Sequence, residues 1–268
     1  MSEGVIVSGE WFAHYVKAPR HPGKGRVIRA LLGLLDGRRL PSVYGPQMTV
    51  RSRDATNRFA LLGTLAEDYR DVHAQIMAMQ AGDCFVDIGA NLGLFTMVAS
   101  DHLGPQGRVI AFEPNQKTFA DLAGNLAANH CTNVVTVCAG VSNNTGRVAF
   151  DPGPAGHSGV AHISESGSSA IMVLGSAQVA DLILNVAAGR HITIKIDVEG
   201  HENQVIEALM PLLGDPQVTK LVVEVDPENL AQHGTTRETL FARLAEKGLT
   251  PSVNDPTRKH YNEVFVRA

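Results

Sequence analysis

Two carboxylates and a glycine loop carry the first chemistry legible in this chain. The apolar run Cys84-Phe85-Val86 is followed by Asp87, and Gly89 and Gly93 come four residues apart ahead of a helical stretch. That order reads as a strand turning abruptly into a helix, with glycine letting the backbone approach a ligand without a Cβ in the way. Asp87 sets a carboxylate where a positively charged or hydroxylated ligand group could be held. Twenty residues past Gly93, Glu113 closes a second apolar run, Val109-Ile110-Ala111-Phe112. A carboxylate at that offset commonly binds both hydroxyls of a ribose.

The spacing also discriminates between ligands. A dinucleotide fingerprint is G-x-G-x-x-G, whose middle glycine makes room for a pyrophosphate. Here the pattern is D-x-G-x-x-x-G, with Ala90 and Asn91 between the glycines. An acid leading into the loop suits an ammonium group better than a phosphate. S-adenosylmethionine (SAM) has an amino-acid end, a ribose and an adenine, and no phosphate. A glycine loop alone is equally well an ordinary strand-to-helix turn. Its pairing with Glu113 is what favours a cofactor.

The second chemical stretch is Ile192-Thr193-Ile194-Lys195-Ile196-Asp197-Val198-Glu199-Gly200-His201-Glu202, a buried-type strand that delivers five ionisable groups in eight positions. Burying charge is costly unless it pairs or binds something. Alternation puts Lys195, Asp197 and Glu199 on one face and Ile194, Ile196 and Val198 on the other. Gly200 then lets the chain turn into a helix with His201 and Glu202 near its N-terminus. A structural Lys195–Asp197 pair, with Glu199 or Glu202 capping the helix, is the alternative and is compatible with function.

Around these runs, strands alternate with helices. Strands are expected at 108–113, 134–139, 192–198, 219–225 and 262–267, and helices at 72–80, 94–102, 116–129, 201–213 and 236–247. That alternation means right-handed βαβ units and a mainly parallel sheet. Residues 147–175 break the pattern: two short alternating runs flank the Gly/Pro-rich 151–159. They predict a hairpin or flap over the substrate entrance. Between His14 and Arg39, seven Lys/Arg residues face one acid, Asp36, and Val27 to Leu35 suggest an amphipathic helix. This basic extension reads as a cap, with a docked helix bearing a solvated basic face as the alternative. Trp11, Phe12 and Tyr15 read as its packing anchor.

Bulk properties admit an enzyme of this kind. A chain of 268 residues holds one large domain plus an extension, and 44% apolar residues is ordinary for a globular protein. A net charge of −4 argues against a general nucleic-acid binder. Three cysteines in apolar surroundings match no zinc spacing and point to reduced thiols in a cytoplasmic protein. No apolar run is long enough for an integral membrane segment.

Three runs together, Asp87-Ile88-Gly89-Ala90-Asn91-Leu92-Gly93, Phe112-Glu113-Pro114 and Lys195-Ile196-Asp197-Val198-Glu199-Gly200-His201-Glu202, resemble the FkbM-type SAM-dependent methyltransferases. The likeness extends to the Asn143-Asn144-Thr145-Gly146 turn and the Val222-Val223-Glu224-Val225 strand, spanning roughly 65–268 and leaving 1–64 uncovered. It implies a Rossmann-like class I methyltransferase: an α/β fold whose seven-stranded, mainly parallel sheet ends in an antiparallel strand at Val264-Phe265-Val266, with helices on both faces. Asp87 and the Gly89–Gly93 backbone, Asn91 included, are implied to cradle the methionine end. Glu113 is implied to hold the ribose hydroxyls, with Pro114 and Asn115 beside the adenine. Gly140, Val141 and Ser142 are implied to close the adenine side. The family often has an acid in the helix before the first strand, and Tyr69-Arg70-Asp71-Val72-His73 leaves open which residue fills that role.

The resemblance implies an O-methyltransferase acting on a sugar, polyketide or other small secondary metabolite. An alcohol acceptor must lose a proton, which calls for a base. The candidates, in order, are Asp197, His201 and Glu199, with Lys195 orienting the carboxylates. Asp197, Glu199 and Glu202 would also be the residues to gather a divalent ion. Lys195 competes for the same negative charge, so no metal is expected. His157, Ser158 and His162 in the flap are possible acceptor contacts. The rivals are an N-methyltransferase on an amine or peptide, a nicotinamide-dependent oxidoreductase, and a non-catalytic SAM-binding module. The expected partner is a small-molecule acceptor, with the extension a candidate homodimer surface.

Overall fold

A strand buried along its whole length, Cys84–Ile88, is the axis of the molecule. The computed structural model describes residues 24–62, 67–164, 166–255 and 257–267. Trp11, Phe12, Tyr15, Lys17 and Arg20 lie outside them. The chain enters through helix α1 (Lys24–Leu34), the hairpin β1 (Arg39–Pro41) and β2 (Gln47–Thr49), and helices α2 (Ala55–Leu62) and α3 (Glu67–Met77). Then come β3 (Cys84–Ile88), α4 (Leu94–Leu103), β4 (Arg108–Phe112), α5 (Gln116–Ala128) and β5 (Val134–Val137). An irregular stretch carries β6 (Gly140–Val141), β7 (Gly146–Asp151), a short 3₁₀ turn at Ser158–Val160, β8 (His162–Ile163) and β9 (Ser169–Leu174). The chain closes with α6 (Ser176–Ala187), β10 (Ile192–Ile196), α7 (Glu202–Leu213), β11 (Val218–Val225), α8 (Pro227–Gln232), α9 (Arg237–Ala245), β12 (Leu249–Pro251) and β13 (Tyr261–Arg267).

The main sheet has seven strands in the order β12-β13-β11-β10-β3-β4-β5. Strands β11, β10, β3, β4 and β5 run parallel, and β13 alone runs against its two neighbours. This is the Rossmann-like class I methyltransferase arrangement that the resemblance implies. The chain winds outward from β3 through β4 and β5, then returns to place β10 on β3's other side. Ligands of open parallel sheets bind where the winding reverses, outside the strands' C-terminal ends. Here that point lies after Ile88 and Ile196.

Alternation along β3 divides the core. Cys84, Val86 and Ile88 pack with Ile194, Val179 and Ile183 of α6, and Val205 and Leu209 of α7. Phe85 faces the opposite layer, with Val72 and Ile76 of α3 and Phe95 and Val98 of α4. The described part of the extension joins this second side. Leu32, Leu40, Met48 and Leu61 share one cluster with Leu92, Met97 and Leu122. Polar contacts pin it as well: Asn129 and Asn125 side chains accept from the Gln47 and Thr49 amides, and Arg51 pairs with Asp121.

Several elements differ from the sequence expectation. The helix before β3 starts at Glu67 rather than near Val72, and β10 ends at Ile196, so Asp197 and Glu199 lie in the following loop. The 147–175 region is a four-stranded sheet, order β6-β9-β7-β8, rather than a simple hairpin. The 160–163 run pairs with β7 at only two positions, while β9 pairs with it along Gly146–Phe150. Long-range pairing there wins because it buries Phe150, Ile171 and Val173 together. The linking stretch folds over α2: the Ser158 amide donates to Asp54 Oδ2 at 2.9 Å, and the Ala55 amide to the Gly156 carbonyl at 2.8 Å.

Ile194, fully buried between layers at the middle of β10, tests this core. Ile194→Ala should cost about 2–5 kcal/mol, read as a lower denaturant midpoint with unchanged slope. A loss below half of that would show that the layers repack around the gap.

Candidate active site

The turn after β3 and the loop after β10 interlock. Gly89 has φ +82°, and a Cβ there would collide with the Asp197 carbonyl oxygen. The glycine is therefore required by the neighbouring loop as well as by any ligand. Gly200, with φ +98°, is pressed in the same way by the His233 ring and Asn229. Between these contacts the loop 197–200 is fixed beside the glycine loop. Glu202, buried at the start of α7, completes this by accepting from the Val198 and Gly200 amides at 3.2 and 3.1 Å.

Lys195 fastens the two turns electrostatically. Its ammonium, almost wholly buried, lies 3.2 Å from Asp87 Oδ1 and 3.3 Å from Asp197 Oδ2, and donates to the Gly89 carbonyl at 3.2 Å. Burial alone would lower its pKa, but Asp197 and Asp87 outweigh that and raise it above the ordinary lysine value. Asp87 also accepts from Thr96 Oγ1 at 2.6 Å. The alternation on which Asp87 sits turns it under the turn, where Lys195 and Thr96 take its oxygens.

Above this floor lies a cavity whose wall includes Gly89, Asn91, Glu113, Pro114, Gly140 and Val141 at one end and Lys195, Asp197, Glu199 and His201 at the other. Ser158 and His162 of the flap also line it. Asp87, Gly93, Asn115, Ser142 and His157 do not. Gly93 backs onto Leu122, and Asn115 caps α5 through the Lys117 and Thr118 amides. Ser142 stands behind the wall, 3.0 Å from His201 Nε2. The His157 Nδ1 atom is buried without a hydrogen-bond partner among the described residues. His162 Nδ1 is 3.1 Å from the Val160 carbonyl, and Ser158 Oγ donates to Asn91 Oδ1 at 3.1 Å, tying flap to glycine loop.

Glu113 receives one backbone amide on each oxygen, Asn91 at 3.0 Å and Asn115 at 2.8 Å. Each oxygen keeps a lone pair for a further donor. Burial pushes its pKa up to about 7, against the lowering effect of those two amides. At the other end, burial and then Glu224, Asp197 and Glu202 push Glu199 up to about 9. Burial and then His233 push His201 down to about 4.

Glu224, Tyr69 and His260 line the wall although the sequence assigns none of them a site role. Glu224 alternates with valines in β11, so in the sequence it looks like an ordinary outward polar residue. His260 reaches it across the sheet edge, Nε2 to Oε1 at 3.0 Å, with Nδ1 3.2 Å from Asp226. One carboxylate oxygen each of Asp197, Glu199 and Glu224 lie within 4.8 Å of one another. Glu202, expected in such a group, is turned to backbone amides instead, and Glu224 takes its place.

With this geometry the family match is decisive. Residues 87–248 match the methyltransferase FkbM domain model. The chain belongs to that family. It is a SAM-dependent methyltransferase by that membership. The hexuronic acid methyltransferase AglP of Haloferax volcanii is 29% identical over 195 residues, covering 71% of this chain and 76% of the relative. Among solved structures, the FkbM methyltransferase of Methylobacillus flagellatus KT is 15% identical with a TM-score of 0.46, covering 95% of this chain and 57% of that one. A SAM-dependent methyltransferase from Aquifex aeolicus is 11% identical with a TM-score of 0.44, covering 80% of this chain and 93% of that one.

Glu113 yields a test with a definite sign. Its folded pKa lies above the unfolded value, so its contribution to stability is greatest below about pH 4.5 and is lost as pH rises through about 7. Without added cofactor, Glu113→Gln should therefore be more stable than the parent at pH 8, by about 1–3 kcal/mol, with little difference at pH 4. Denaturation at both pH values checks this. A variant destabilised at pH 8 would show that the two amide bonds outweigh the burial.

Proposed function

We propose that the protein transfers a methyl group from SAM to a hydroxyl of a sugar. The observation that carries the reading is the single cavity joining Glu113, with two lone pairs left for a diol, to an Asp197 held beside a buried ammonium. The donors suit SAM. Glu113 would receive the ribose hydroxyls, Pro114, Gly140 and Val141 would flank the adenine, and the Gly89–Asn91 backbone would meet the amino-acid end. Asp87 supports that end from below through Lys195. When bound, SAM supplies a methyl carbon already activated by its sulfonium.

What remains for the protein is alignment and a proton acceptor. The three candidate bases differ in their surroundings. His201 is held too weak a base by burial, and its Nε2 is engaged with Ser142. Glu199 keeps its own proton at neutral pH. Asp197, about one-third exposed to the cavity and 3.3 Å from Lys195 Nζ, can accept the hydroxyl proton. The sugar assignment draws on the relative named for hexuronic acid methylation. The flap, through Ser158 and His162, would close over the acceptor.

The test is product analysis with methyl-¹³C SAM and a panel of sugars and glycosides. The expected product carries the label as a methoxy carbon. Asp197→Asn should lower kcat about 10²–10⁴-fold while calorimetric SAM affinity is retained. A labelled N-methyl product, or a variant with undiminished turnover, would overturn the O-transfer reading.

A further inference from the structure

We propose that His201 selects the acceptor: a hydrogen-bond chain anchored at Arg243 holds its ring as the Nε2–H tautomer, and Nδ1 accepts from a second hydroxyl of the substrate. The chain runs behind the cavity wall. Arg243 of α9 pairs with Glu207 of α7 and donates to Asn203 Oδ1 at 2.7 Å. Asn143 Nδ2 donates to Glu207 Oε2 at 3.1 Å, and Ser142 Oγ donates to Asn143 Oδ1 at 3.3 Å. Ser142 Oγ in turn lies 3.0 Å from His201 Nε2.

The direction of every bond follows from the carboxylate. It only accepts, so the Asn143 amide must present its nitrogen to Glu207 and turn its oxygen toward Ser142. Asn144 Nδ2, 3.2 Å from that same oxygen, agrees with this orientation. The serine hydroxyl has one hydrogen, which goes to Asn143. Its bond to His201 therefore exists only if Nε2 carries a proton and donates. Burial and then His233 keep the ring uncharged at neutral pH, so Nδ1 has no proton. Nδ1 makes no hydrogen bond among the described residues. His201 lines the cavity, as does Asp197 from the same loop. Resting on the transfer reading above, two acceptors on one wall match a pair of hydroxyls. Asp197 receives the proton of the hydroxyl that is methylated, and Nδ1 holds its neighbour. An acceptor without that neighbour leaves Nδ1 unpaired.

The tautomer is read by long-range ¹H–¹⁵N NMR on the full chain with ¹⁵N-labelled histidine and no ligand. Loss of signals in His201→Gln identifies those of His201. At neutral pH, Nε2 should resonate in the protonated range and Nδ1 in the unprotonated range. Ser142→Ala should mix the two tautomers, and Ser142→Thr, which keeps the hydroxyl, should restore the parent pattern. With an acceptor methylated on oxygen, His201→Gln should raise the acceptor KM about 10-fold while calorimetric SAM affinity is unchanged. His201→Asn, whose amide oxygen reaches toward the Nδ1 position, should recover part of that loss. A parent protonated at Nδ1 would overturn the proposal. So would a His201→Gln variant that loses SAM affinity and keeps its acceptor KM, which would place Nδ1 on the adenine amine. An exclusively N-methylated product would instead overturn the transfer reading, and the NMR measurement stands apart from it.

Discussion

The buried Lys195 ammonium is the constraint on which the active end of this molecule depends. It lies between Asp87 of β3 and Asp197 beyond β10, and also holds the Gly89 carbonyl. A buried ion pair is weak evidence for net stability, because desolvation offsets much of the attraction. Its value here is geometric. Removing Lys195 would leave Asp87 and Asp197 without their shared cation, so the two turns at the winding reversal are fixed to each other. Gly89 makes the same point sterically, since any Cβ would strike the Asp197 carbonyl.

That fastening divides labour among acids that look equivalent in the sequence. Asp87 becomes a counterion beneath the floor. Glu202 becomes a clamp on the amides of the 197–200 loop. Glu113 is held by two amides with lone pairs to spare, and Asp197 is paired with Lys195 and still about one-third exposed to the cavity. The flap closes the arrangement from above through small polar contacts, Ser158 with Asn91 and Asp54 and the Gly156 carbonyl with the Ala55 amide. Asp54 thereby joins the N-terminal layer to the glycine loop, so the extension contributes to the roof and shares the core beneath it.

The parallel sheet was legible because its strands are short apolar runs covered on both faces, and helices of matching length lie between them. The charged run from Lys195 to Glu202 was legible for the opposite reason, as a charge load no packed strand carries without purpose. What escaped was tertiary. Asp87 could be read as a ligand because its partner, Lys195, lies 108 residues away. Glu224 could be passed over because strand alternation explains it, and only the β11–β13 register, Glu224 opposite Asn262, brings the edge around His260 beside it. The β7–β9 pairing was hidden by a nearer and weaker partner, β8. Helix α6 carries a clear signal in Val179, Ile183 and Ala187 at helical spacing, but it follows directly on the irregular 147–175 stretch, with no side-chain N-cap at Gly175 to mark its start.

The distribution of protons completes the physical picture. Burial lifts Glu113, Glu199 and Glu224 above the ordinary carboxylate range, while Lys195 holds its charge against the same burial. A core designed only for stability would replace such acids with apolar groups of similar size. Their concentration on one cavity wall, with packed aliphatic layers elsewhere, therefore marks where folding free energy has been diverted to recognition. Glu113 keeps lone pairs beyond its two backbone amides, Asp197 is paired with Lys195 and open to the cavity, and Glu199 and Glu224 are crowded by neighbouring acids. Each role is set by how many neighbouring amides, carboxylates and ammonium groups the two interlocked turns place around otherwise identical chemistry.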